Sequence, residues 1–244
     1  PRIEEELGEI NPGETKYIQI KVKAGEVFAK GFAFDFSVHN EDVNLTGFVV
    51  PAHYSRETWK IHTVDPFDYF VEPIKSQLLI KNLRKVEPFG GKIDYDIDGK
   101  LIGNWFKENT NGYQGIKEPE YWVTHLSIYH DGLDPSHIVI SLGDFKGEAK
   151  QFGIKGNSPD PGDVDINSGL IKYELVDFNY LDSSGNLWNG ESYANDLKAS
   201  NNNKIFGVVL LKLIENRKLK VEIFHDKKSS EVNDFTNNFM IYER

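Results

Sequence analysis

The chain has 244 residues, with 28 Lys and Arg against 38 Asp and Glu, a formal charge of −10, 13% aromatic residues and no Cys. The aromatic share is ample for a core and excludes wholesale disorder, while the acidic balance speaks against duplex nucleic acid, whose binding runs on cations. The missing thiols exclude disulfides and Cys-ligated metals, and no stretch approaches the ~18 consecutive apolar residues of a membrane span.

The chain opens Pro1-Arg2-Ile3-Glu4-Glu5-Glu6, and its only Met is Met240. Either a leader was removed or the chain starts inside a longer gene. With abundant Asn, Gly and Tyr, this favours a secreted or periplasmic setting. Tyr17-Ile18-Gln19-Ile20-Lys21-Val22 alternates with period two and predicts a strand. A turn at Ala24-Gly25 and a second apolar strand at Val27-Phe28-Ala29 follow. In Phe32-Ala33-Phe34-Asp35-Phe36-Ser37-Val38 the rings share one face. Between residues 65 and 86 the pattern changes. Asp65-Pro66 and Glu72-Pro73 each read as a helix start, and Ile74, Leu78, Leu79, Leu83 and Val86 fall near helical spacing. Glu87-Pro88-Phe89-Gly90-Gly91 breaks that helix. Residues 92–97 and 100–106 flank Asp98-Gly99, the signal of a type I′ hairpin with Asp94, Asp96 and Asp98 outward. Further strands are predicted at 121–130, 137–145, 151–155, 170–181, 205–214, 219–225 and 239–242, with turns at 156–162 and 200–203. Short strands at close spacing predict an all-β fold. A small β-sandwich or hybrid unit covers 1–60, a short helical insertion 61–90, and an antiparallel β-barrel or sandwich 91–244.

Val22-Lys23-Ala24-Gly25-Glu26-Val27-Phe28-Ala29-Lys30-Gly31, followed by Phe34-Asp35-Phe36-Ser37-Val38, resembles the C-terminal piece of lysostaphin-type zinc endopeptidases. In that family a strand with two histidines follows such a segment, one His a catalytic acid/base and the other a zinc ligand. The resemblance implies a small β scaffold at about residues 17–40. The two histidine positions fall here on Ala33 and Asp35, so it implies a scaffold without the family's zinc site. A second, shorter resemblance lies in Gly103-Asn104-Trp105. Lipocalin-like barrels open with Gly-x-Trp and close the barrel floor by setting the indole against a late Arg, for which Arg217 and Arg244 are the candidates.

Asp94-Tyr95-Asp96-Ile97-Asp98-Gly99 has the carboxylate spacing of a calcium loop but lacks the acid near position twelve, where Trp105 stands. His125, His130 and His137 cluster in sequence beside Asp131 and Asp134 and are of a type that suits zinc or iron, though their spacing matches no metal signature. No cofactor is assigned, and calcium ranks ahead of zinc. Trp105, Tyr113, Tyr121, Trp122 and Trp188, flanked by Asn, Asp and Gln, suit sugar rings, whose C–H faces stack while their hydroxyls hydrogen-bond. The leading expectation is a non-catalytic exported binding protein for a carbohydrate or cell-envelope polymer. The alternatives are a metal-dependent hydrolase related to lysostaphin-type peptidases and a lipocalin-like carrier of an apolar small molecule. The partner is a carbohydrate or small molecule, with no nucleic acid and no membrane span.

Overall fold

A computed structural model describes residues 2–9, 11, 14, 16, 17, 19–23, 25–28, 30, 36–117 and 119–244. The chain divides into two compact units, 1–37 and 38–244. In the first, a short helix α1 (Arg2–Leu7) stands where no element was expected. Lys23 and Glu26 close the expected turn, the Glu26 N–H donating to the Lys23 carbonyl at 3.0 Å with Gly25 at φ +82°. The described residues of 17–28 form no strand, and Tyr17, Val27 and Phe28 are exposed. Ala33 and Asp35, which occupy the two histidine positions of the peptidase resemblance, lie outside the described residues.

The second unit opens with a two-stranded antiparallel sheet, β1 (Val38–His39) with β2 (Thr63–Val64). At Asp65 the expected cap forms, its carboxylate accepting the Phe67 N–H at 2.9 Å, but it starts a single 3-10 turn, Pro66–Tyr69. The expected helix begins after Pro73 as α2 (Ile74–Lys81) and stops short of Val86. Asn82 turns extended, and its amide donates to the Arg84 and Phe89 carbonyls. Arg84 swings inward to the carbonyls of Pro88 and Gly132, so a helical continuation would forfeit both links. Among the described residues no helix is long and apolar enough to cross a membrane.

Eight strands then close into an antiparallel barrel: β3 (Gly103–Lys107), β4 (His125–His130), β5 (Ile138–Phe145), β6 (Glu148–Ile154), β7 (Ile171–Leu181), β8 (Lys198–Glu215), β9 (Lys218–His225) and β10 (Met240–Glu243). Each strand pairs with its neighbours in sequence, and β10 closes the ring against β3. Alternation sends one face of each strand inward. Trp105, Leu126, Ile128, Ile140, Phe152, Ile154, Tyr173, Leu175, Val209, Leu211 and Leu219 meet there as one fully buried cluster. An eight-stranded barrel is just wide enough to be filled by side chains, and this one is.

Residues 121–124, expected as the start of a strand, form a 3-10 turn instead, and two further stretches of 91–244 depart from expectation. Residues 92–97 form no strand; the Asp98-Gly99 turn exists, but Asp94 and Asp96 are buried while Ile93 and Ile97 are exposed, the reverse of the predicted faces. The inversion has a local cause: Asp94 accepts the Gly47 N–H, and Asp96 accepts those of Val49 and Asn104. Residues 200–203, expected as a turn, belong to β8. Asn201 holds them there, its amide donating to the Ile154 carbonyl and its oxygen lying 2.8 Å from His137 Nε2.

Of the two arginines named as partners for the Trp105 indole, Arg244 is the one that packs against it. The Arg244 guanidinium lies 4.0 Å from the Trp105 ring centre, and the indole N–H donates to the Leu101 carbonyl at 2.8 Å. Arg244 also donates to the carbonyls of Ile97, Lys100, Ile102 and Asn104, with Asp96 3.8 Å away. Gly103 is required here, since a Cβ on it would stand 2.2 Å from Asp96 Oδ1.

Candidate functional site

A cavity of about 370 Å³ lies on the outer face of β3–β5, beneath the segment that precedes the barrel. Its floor follows from strand register. Within the floor Asn104 pairs with Ser127 and Ser127 with Ser141; beyond it Ser141 pairs with Gln151, so four polar side chains form one row across four adjacent strands. Ser127 Oγ donates to Asn104 Oδ1 at 2.8 Å, and Asn104 Nδ2 donates to the Tyr54 hydroxyl at 3.1 Å. The side chains of Ser141 and Gln151 have no hydrogen-bond partner among the described residues, which leaves their polar groups available to a ligand.

Aromatic rings flank this row on both sides. Two residues along the strands, Phe106 pairs with His125, and Tyr113 packs against both rings, its centroid 5.0 Å from that of His125. Trp122, on the 3-10 turn Tyr121–Thr124, completes that side with 39% of its surface exposed. On the other side Tyr129 packs against Tyr95 at 5.8 Å. Phe48 and Tyr54, both buried, close the Asn104 end.

The lining carries little net charge. Lys60 is paired with Glu57 at 3.1 Å and Lys92 with Asp94 at 2.7 Å. His125 gives its Nε2–H to the Tyr113 carbonyl, and burial holds its pKa down to about 4, leaving a neutral imidazole. Burial pushes the Tyr129 hydroxyl up to about 12 and raises those of Tyr54 and Tyr113 as well. Such a site presents stacking surfaces and uncharged hydrogen-bonding groups.

Of the aromatic residues selected from sequence, Tyr113 and Trp122 line the cavity, and Tyr121 supports it, its hydroxyl 3.3 Å from that of Tyr113. Trp105 is instead wholly inside the barrel, because alternation along β3 turns it inward. Trp188 lies elsewhere, packed on Tyr180 with its indole N–H on the Ser192 carbonyl. The candidate metal ligands are dispersed. His125 belongs to the cavity, His130 pairs with Asp160 at 3.0 Å, and His137 with Asn201. Asp94 and Asp96 bind backbone N–H groups, and Asp98 forms a bidentate pair with Arg217. Among the described residues no three His, Asp or Glu side chains are gathered as a metal would require.

Phe48, Tyr54, Tyr95, Phe106 and Tyr129, with the floor residues, are the part of the site that sequence reasoning missed. Alternation on β3–β5 marks which of them face outward. No model of a known protein family, no curated protein and no solved structure matches the chain.

Proposed function

We propose that the chain is a non-catalytic, exported binding protein that holds a carbohydrate or a sugar-containing cell-envelope polymer in the cavity outside β3–β5. The observation that carries this reading is the polar row Asn104–Ser127–Ser141 set between aromatic rings. A sugar ring needs that combination, with flat apolar surface for its C–H faces and uncharged donors and acceptors for its hydroxyls. The filled barrel interior supports an outer binding place over the lumen, where a lipocalin-like carrier would hold its ligand. The abundance of Asn, Gly and Tyr supports export.

The test is a glycan array followed by titration of the strongest binder, with a panel of lipophilic fluorophores as the competing ligand class. Saccharide binding that Trp122→Ala abolishes, with the variant still folded, supports the reading. Binding of fluorophores but of no saccharide contradicts it.

A further inference from the structure

The two ends of the polar row differ. At Asn104 the row runs into the buried Tyr54, which accepts the Asn104 amide, with Phe48 packed against its ring at 4.4 Å. At the other end Gln151 is exposed on β6, outside the cavity proper, and its side chain has no partner among the described residues. Between them Ser141 is likewise free to bond, and Ala149, a small exposed residue lining the cavity, keeps the nearby surface of β6 low. Three strand spacings separate Asn104 from Gln151, roughly 14 Å at about 4.8 Å each. The polar row therefore continues past the cavity in one direction only.

The charges around it are as informative. The two cations of the lining, Lys60 and Lys92, are each neutralised by a carboxylate, and the chain as a whole carries −10. An acidic ligand would find no free counter-charge there and would be repelled at longer range.

Resting on the saccharide reading above, we propose that the cavity is the blind end of a track along Asn104–Ser127–Ser141–Gln151. It takes the terminus of an uncharged, extended glycan chain, and the body of that chain leaves over Gln151. Gln151 is then a specificity-determining residue for chain length, contacting a unit that the cavity itself does not reach. Trp122 contacts the terminal unit and serves chains of every length.

The experiment uses the full chain against linear uncharged di-, tetra- and hexasaccharides, a cyclic oligosaccharide of the same sugar, and linear uronic-acid oligosaccharides. For the wild type, affinity rises by about tenfold from disaccharide to tetrasaccharide, equivalent to about 1.4 kcal/mol. The cyclic compound, which has no terminus, and the uronates bind at least about tenfold more weakly than the tetrasaccharide. Gln151→Ala, an exposed position that leaves the fold intact by circular dichroism, brings the tetrasaccharide down to the disaccharide level and leaves the disaccharide unchanged. Trp122→Ala weakens both. Length-independent binding, an unaffected tetrasaccharide in Gln151→Ala, or equal binding of cyclic or acidic compounds overturns the track while leaving the saccharide reading standing. Binding of no saccharide at all by the folded wild type overturns that reading and the track together.

Discussion

His125 lies between the rings of Phe106 and Tyr113, with one nitrogen committed to a carbonyl and a pKa near 4 in place of the ordinary 6.5. The unfolded chain therefore takes up a proton between pH 6.5 and 4 that the folded chain refuses. Stability falls as pH drops through that window and is flat above it. The full effect is about 3 kcal/mol at most. His53 and His225, also lowered by burial, act in the same direction, whereas Asp96, raised by burial, acts in the opposite one. Urea unfolding across this range should show a slope that His125→Gln reduces by more than half. An unchanged slope would remove the buried neutral imidazole from the account. Arg244 is the other residue whose environment fixes its role. It is a buried cation bonded to four carbonyls and stacked on Trp105. Arg244→Ala removes the guanidinium's bonds to those carbonyls and the cation facing the buried Asp96, and should destabilise by about 3–5 kcal/mol. Arg244→Lys recovers only part of this, because an ammonium lacks the planar fork. Equal stability of the three proteins in urea would contradict the floor as described.

At the scale of elements, what was legible in the sequence was whatever alternation alone decides. The strands β5, β7 and β9 match the expected runs closely because apolar residues recur there at every second position, and the hairpin around Asn216 does so because apolar runs occupy both arms. Residues 92–97 alternate equally well, but a partner distant in sequence, Gly47 to Val49, draws the aspartates inward. Asn201 likewise keeps a turn-like Asn run in β8 through contacts that only the closed barrel supplies. The site shows the same division. Tyr113 and Trp122 were visible as aromatic residues in polar surroundings, whereas the Asn104–Ser127–Ser141 row depends on strand register, which composition does not encode. One element couples fold to site directly. The turn Tyr121–Thr124 rests on Gly143, where a Cβ would stand 1.8 Å from the Trp122 carbonyl oxygen. Gly143→Ala should displace that turn, lower saccharide affinity by about tenfold or more, and destabilise by about 1–3 kcal/mol. Unchanged affinity would detach the turn from the site.

For the molecule as a whole, the unit that matters is 38–244, in which residues before the barrel form one side of the cavity. Phe48 and Tyr54 bury themselves against Phe106 on the outer face of β3. Removing residues 1–90 strips that cover and should cost about 4 kcal/mol or more, at roughly 2 kcal/mol per buried large side chain. A barrel starting at residue 91 with the stability of the 38–244 unit would show that the cover contributes nothing. Side chains close the barrel interior, the proposed function puts ligand outside it, and the four Trp residues report on the two places separately. In a two-dimensional NMR titration with the strongest-binding saccharide, the Trp122 indole N–H should shift while that of Trp105 stays fixed and slow to exchange with solvent. A shift of Trp105 with Trp122 unmoved would place the ligand in the lumen and contradict the account.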